Sequence, residues 1–188
     1  MPFSSLLSTT GSPDNVDGNG FNPYPFWSPD YNWFQPTIKE EIDDEGDINR
    51  FYRIAGRRDN WYIMRTLLNT ECLVKGFVYK VSARVRVSGD YSGSAITLKA
   101  RFEADRASGS WTYPEILSIP DVTTEDGWVY GEAILIITDE IENYEELRVQ
   151  FWTEGETITR DENGFVYDAV IDIDDFSIAV ESGVSFLF

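Results

Sequence analysis

Apolar and polar positions alternate with a period of two through most of this chain. Tyr79, Val81, Ala83, Val85 and Val87 alternate with Lys80, Ser82, Arg84, Arg86 and Ser88. After the glycine-rich "SGDYSGS", Ile96, Leu98, Ala100 and Phe102 alternate with Thr97, Lys99, Arg101 and Glu103. Successive side chains of a strand point to opposite faces, so this pattern marks strands with one dry and one wet face. The two runs and the turn between them predict a β-hairpin. "WVYGEAILII" predicts the next strand. "LRVQFWTEG" predicts another, with Leu147, Val149 and Phe151 inward and Arg148, Gln150 and Trp152 outward. Between these two, "ITDEIENYEE" reads as a turn or a short helical crossing. Residues 105–127, with Gly109, Pro114, Pro120 and Gly127, read as a long connection.

One strand breaks its own phase. In "YDAVIDIDDFSIAV", Ile171 and Ile173 alternate with Asp172 and Asp174, and the apolar residues then restart at Phe176, Ile178 and Val180. A one-residue shift sends later side chains to the other face. Two readings account for it. A β-bulge shifts the phase and points Asp175 at a rim, or Asp175 turns inward toward a hard cation such as calcium, which takes six to eight oxygens. The two are compatible.

No segment carries a helical period beyond a turn or two. Many short strands separated by Gly, Pro and Asp turns predict an all-β fold, an antiparallel β-sandwich of the jelly-roll kind. The predicted organisation has three parts. Residues 1–36 form an irregular arm rich in prolines and aromatics that packs on the domain. Residues 37–181 form the sandwich, and residues 182–188, ending in "GVSFLF", form a tail.

Composition narrows the chemistry. Of 188 residues 42% are apolar and 15% aromatic, enough for a real core in one domain. A formal charge of -18 argues against nucleic acid or an anionic membrane as partner. There is no histidine, which removes His-based acid–base work, Ser-His-Asp and Cys-His pairs, and His-ligated zinc. The single cysteine, Cys72, lies among apolar neighbours and reads as an inert thiol. The first residues lack a basic, apolar leader, and no stretch is long enough to cross a membrane. Carboxylates are abundant, but no motif brings two together as a glycosidase pair.

Several stretches resemble carbohydrate-binding modules of families 4, 9 and 22. "LVKGFVYKVSARVRVSG" resembles their "YxVSAxVxVSG" strand, and "TTEDGWVYGEAILI" their tryptophan followed by a short strand. "VIDIDDFSIAV" resembles the closing strand, "GNGFN" the opening segment, and "AGRRDNWY" an arginine-then-tryptophan strand. The likeness spans about residue 19 to 180. Asn22 stands where these families carry glutamate, and the 105–127 connection is longer than theirs. The resemblance implies a jelly roll with a glycan cleft on its concave sheet. It also implies a non-catalytic role, an extracellular or cell-surface location, and often one structural Ca2+ near the joined chain ends. The candidate metal ligands are Asp175, with Asn22 or an early backbone carbonyl, and a member of the acidic run at 40–47.

Arg58, Asn60 and Trp61 lie where these families place cleft residues, although Trp61 also suits a core shared with Ile63 and Leu67. Arg84, Arg86, Gln150 and Trp152 take outward parity and complete the candidate carbohydrate-binding set. A tryptophan beside planar amide and guanidinium donors suits sugar, whose C–H faces pack on indole while its hydroxyls need polar partners. The plainer reading of Arg84, Arg86, Lys99, Arg101 and Arg148 is cross-strand ion pairing with Glu103, Glu132 and Glu154 on one solvated face. Trp111 and Tyr113 read as cleft-wall candidates, and Trp128 as structural. The expected partner is a polysaccharide or other glycan. A rival reading is a self-associating assembly module, joined through the N-terminal arm or the C-terminal residues, since jelly rolls also build capsids and fibres.

Overall fold

The computed structural model describes residues 37–181 apart from positions 44, 58–63, 69–72, 106–110, 143–145 and 163. Two antiparallel sheets stack face to face. The first has the order β1-β2-β12-β4-β8: β1 (Thr37–Ile42), β2 (Ile48–Ile54), β12 (Val170–Val180), β4 (Val78–Ser88) and β8 (Val129–Ile136). The second runs β3-β9-β5: β3 (Met64–Leu67), β9 (Glu146–Glu154) and β5 (Ile96–Asp105). Its far side is completed by β6 (Trp111–Thr112) and β7 (Glu115–Val122), both paired with β5. A two-stranded ribbon, β10 (Ile158–Asp161) with β11 (Gly164–Tyr167), and one turn of helix, α1 (Asp139–Glu142), complete the described elements. None of these is a helix long and apolar enough to cross a membrane.

Alternation explains the core. Tyr79, Val81, Ala83, Val85 and Val87 of β4 and Ile96, Leu98, Ala100 and Phe102 of β5 are all buried in one cluster. They meet Leu147, Val149 and Phe151 of β9 and Ile171, Ile173, Phe176 and Ile178 of β12. Phe151 and Phe176 touch edge to face across the layers, with ring centroids 5.1 Å apart. Each of the valine, leucine, isoleucine and phenylalanine side chains among them contributes roughly 1.5–3 kcal/mol on burial.

The predicted hairpin is corrected. β4 pairs with β12 and β8, whereas β5 pairs with β9, β7 and β6, so the two runs belong to different layers. Gly89–Ala95 crosses from one sheet to the other, too long a loop for a two-residue hairpin turn, and Tyr91 within it is buried. Residues 105–127 also prove to be more than a connection, since they contain β6 and β7. Pro120 masked β7 in the sequence. Proline cannot donate to a ladder and is confined to edges and bulges, and β7 is an outer strand whose register with β5 shifts between Ile96 and Leu98.

The phase break in β12 is a bulge. Its pairing with β4 shifts between Asp174 and Ser177, and Asp175 takes a positive φ of 47°. On the edge where β7 meets β8, Gly131 is required by closeness: a Cβ there would stand 2.3 Å from Ile119 Cγ1.

One buried ion pair locks an end of the sandwich. Arg57, fully buried, donates from Nη2 to Glu156 Oε1 at 2.6 Å and from Nη1 to Thr153 Oγ1 at 3.1 Å. Glu156 also accepts from Thr153 Oγ1 at 2.8 Å and from the Ala169 amide at 2.9 Å. Desolvation makes such a pair costly unless its lone pairs are satisfied, and here the carboxylate collects donors from three segments.

Candidate functional site

The outward residues fall on two faces, not one. Arg84 and Arg86 project from the outside of the β1-β2-β12-β4-β8 sheet, and Gln150 and Trp152 from the outside of the other. The sandwich separates them, so the sequence-derived grouping of all four in one site is corrected. The reason is the layer change at Gly89–Ala95, which turns the same outward parity toward opposite sides.

On the β9–β5 face, the antiparallel register sets Arg101 opposite Gln150, Lys99 opposite Trp152 and Glu103 opposite Arg148. Directly opposed residues are cross-strand neighbours and interact. The Arg101 guanidinium lies between two rings, 4.6 Å from the Tyr113 centroid and 4.7 Å from that of Trp152. Its Nε donates to Gln150 Oε1 at 2.7 Å. Gln150 is fully buried, so it acts on this surface through Arg101. Trp152 is half-buried and Tyr113 is 48% exposed. Tyr113 sits in the break between β6 and β7, where the Pro114 carbonyl accepts from the Phe102 amide at 2.9 Å.

Charges frame these rings. Lys99 Nζ lies 3.1 Å from Glu115 and 3.0 Å from Glu154, and 5.8 Å from the Trp152 ring centroid. The Lys99 amine is pushed up by its bonds to Glu154 and Glu115. The same bond to Lys99 holds Glu154 below the usual carboxylate range. Arg148 pairs with Glu103 at 3.6 Å. The surface therefore offers an aromatic platform of two rings spaced by a guanidinium, with an ammonium and two exposed carboxylates beside it. Outward parity marked Trp152, Lys99 and Arg101 in the sequence. Glu115 left no local signal, because it belongs to the strand that Pro120 concealed.

On the opposite face the aromatic and arginine residues are tied to one another. Asp172, fully buried, takes a bidentate pair from Arg53 at 2.7 and 2.8 Å and two further bonds from Arg86 at 3.0 and 2.9 Å. Arg86 also reaches Glu41 at 2.9 Å, and the Trp128 indole N–H donates to Glu41 at 2.7 Å. The Arg86 guanidinium lies 4.4 Å from the Trp128 ring and 5.0 Å from that of Phe51. Burial pushes the Glu41 carboxyl up, but the bonds from Trp128 and Arg86 outweigh it and leave the group lowered. Trp128, which the sequence context reads as structural, is held by Glu41, Arg86 and Phe51. Asp175 is exposed and lies beside Arg84, 3.4 Å from its Nη1. The inward alternative for Asp175 is thus corrected: the extra residue of the bulge carries the side chain outward. Asp174, the preceding carboxylate, is buried and accepts from the Asp175 amide at 2.8 Å. Among the described residues no group of three or more acidic or cysteine side chains could hold a metal ion. Arg58, Asn60, Trp61 and Asn22 lie outside the described residues.

Solved structures with the same architecture include the CBM22-1 xylan-binding domain of Paenibacillus barcinonensis Xyn10C. It has a TM-score of 0.57 at 15% identity, over 80% of this chain and 87% of that one. The C-terminal family 22 carbohydrate-binding module of Clostridium thermocellum Xyn10B also has a TM-score of 0.57 at 15% identity, over 83% of this chain and 90% of that one. A further xylan-binding domain of family 22, formerly called x6b, reaches 0.57 at 16% identity, over 80% and 85%. No family model matches the chain, and no curated relative matches it. At these identities the likeness establishes the fold, a jelly-roll β-sandwich of the kind found in carbohydrate-binding modules.

Proposed function

We propose that this chain is a non-catalytic module that binds a polysaccharide on the outer face of the β9–β5 sheet. The observation that carries this reading is the clamp of Arg101 between Tyr113 and Trp152. It holds two rings at the surface of a rigid sheet, where pyranose C–H faces can pack on them. Lys99, Glu115 and Glu154 supply donors and acceptors for sugar hydroxyls alongside. Support also comes from the structural neighbours described as xylan-binding, so xylan is the first ligand to test. A polysaccharide ligand places the module outside the cell or at its surface.

Affinity electrophoresis or calorimetry on xylan and a panel of other polysaccharides tests this. Trp152→Ala is expected to weaken binding at least tenfold, about 1.4 kcal/mol, as loss of a central aromatic anchor does. Tyr113→Ala is expected to weaken it less. Wild-type affinity in both variants, or no binding by the wild type anywhere on the panel, rejects the reading.

The same reading includes a structural calcium ion held by Asp175 with Asn22. The cation would have to take the Asp175 carboxylate from Arg84, so Asn22 and backbone carbonyls must complete its oxygen shell. A Tm lowered by chelation supports the ion, since a ligand of the native state alone raises stability. An unchanged Tm removes it.

A further inference from the structure

At the end of the sandwich locked by Arg57 and Glu156, the Gly89–Ala95 crossing borders a recess of about 460 Å³. It is lined by Asp90, Tyr91, Ser92, Gly93, Thr157 and Asp168. This volume falls within the roughly 300–1,000 Å³ of small-ligand sites. Its walls are fixed by bonds of their own. Tyr91, buried, donates from its hydroxyl to the Ser94 carbonyl at 3.0 Å and accepts from the Thr157 amide at 3.1 Å, which ties the crossing to the segment after β9. Gly93 fits there because it has no side chain: a Cβ would stand 2.3 Å from both Thr157 Oγ1 and Tyr91 Oη. On the other wall the Thr159 hydroxyl donates to Asp168 Oδ1 at 2.8 Å. Glu156 and Ala169, next in sequence to Thr157 and Asp168, are joined by the Ala169 amide at 2.9 Å.

Asp90, Ser92, Thr157 and Asp168 are exposed, so the recess offers two carboxylates and two hydroxyls. The carboxylates of the platform and of the opposite face sit against lysine or arginine, but among the described residues neither lines this recess. In a chain of formal charge -18 such a recess repels anions. It suits a ligand rich in hydrogen-bond donors. An ionised carboxylate only accepts, and its two oxygens can take adjacent hydroxyls in strong charge-assisted bonds. A hard cation needs six to eight oxygens, and two carboxylates fall short of the three-member acidic groups sought among the described residues. Tyr91 keeps its ring buried, so it gives no stacking surface to a pyranose face. A sugar would be held here by its hydroxyl edge.

We infer that this recess is a second saccharide site, in which Asp90 and Asp168 accept hydroxyls of a short neutral sugar. The platform packs against the faces of a chain, whereas the recess takes a short saccharide by its edge. The site stands on residues that the Tyr113–Trp152 platform does not use.

Amide NMR on the full chain tests it, with xylose, xylobiose, glucose and cellobiose as probes. At least one is expected to shift the amides of Asp90, Ser92, Gly93, Thr157 and Asp168, and to do so equally in Trp152→Ala, which removes the platform's anchor. Asp90→Ala/Asp168→Ala is expected to weaken that titration at least tenfold, because both charged acceptors are lost, and to leave polysaccharide affinity at the wild-type level. No response of these amides to any of the four sugars overturns the inference, and so does a full response in the double variant. Shifts produced by calcium chloride and by no sugar mean a cation site and overturn it. A response lost in Trp152→Ala belongs to the platform and overturns it too. If the double variant does not fold, Asp90→Ala alone reads the same loss at smaller amplitude, since Asp90 is exposed.

Discussion

The two outer faces of the sandwich are built from the same materials and end in opposite states. Each has a tryptophan, arginines stacked on aromatic rings, and carboxylates within hydrogen-bond reach. On the β12–β4 side the carboxylate comes from inside the cluster. Asp172 is fully buried beneath Arg53 and Arg86, Glu41 takes the Trp128 indole N–H, and Phe51 is buried edge-on against Trp128 at 5.3 Å. These polar groups spend their bonding capacity on one another, which makes the face a strap across strands β1, β2, β12, β4 and the start of β8. On the β9–β5 side the buried acid, Glu103, pairs with Arg148, and the acceptor bonded to Arg101, Gln150, is neutral. It steers Arg101 through one bond, and the rings flanking Arg101 stay at the surface. Stacked arginine and tryptophan therefore do not by themselves make a binding surface. What differs is that two arginines of the strap share one buried acid, Asp172, and Phe51 is buried, whereas Tyr113 stays exposed.

The sharpest way to break this comparison is at Asp172. Asp172→Ala leaves Arg53 and Arg86 without their shared acceptor and is expected to cost about 3 kcal/mol, the lower end for a broken buried pair, because both arginines still reach water. Urea unfolding measures the loss, and the folded variant should hold polysaccharide as tightly as the wild type. If Asp172→Ala weakens binding as much as Trp152→Ala, the strap and the platform have been assigned the wrong way round.

A smaller effect is expected at Gln150. Gln150→Leu removes the acceptor of Arg101 Nε and should weaken binding several-fold, within the roughly 1–3 kcal/mol cost of an unsatisfied buried donor. Gln150→Glu keeps an acceptor and should restore much of the affinity. A merely structural role would show as equal Tm losses in both variants without this split in affinity.

Acid gives the mildest contrast. The folded pKa of Glu41 is lowered, so its contribution to stability is fully present above about pH 4.3, the ordinary glutamate value. It is lost as pH falls through the lower folded value. Glu41→Gln should therefore flatten the acid limb of Tm against pH. Glu154 is also lowered, but its pair with Lys99 is exposed and screened by water, so Glu154→Gln should leave that limb unchanged. Equal flattening in both variants would erase the distinction between strap and platform.

Much of the architecture was legible in the chain. Period-two alternation marked β4, β5, β9 and β12 with the correct inward residues except Val180, which is exposed at the end of β12, and the shifted phase after Asp174 located the bulge. β7 was hidden by Pro120, whose tolerance depends on an edge position that local sequence does not encode. Arg57 gave no sign that it would be fully buried, because its acid, Glu156, is far away along the chain. Trp152 was marked by its parity beside arginine and glutamine. Its true companions, Arg101 and Tyr113, came from the pairing of β5 with β9 and the interrupted strand beside it.

By itself, then, the amino-acid sequence determined which side chains turn inward and which outward, because a strand alternates its faces whatever it pairs with. Only the tertiary structure decided which outward residues share a face. Strand pairing is non-local, and the seven residues from Gly89 to Ala95 carry the chain from one layer to the other, sending Arg86 and Arg101 to opposite sides of the molecule.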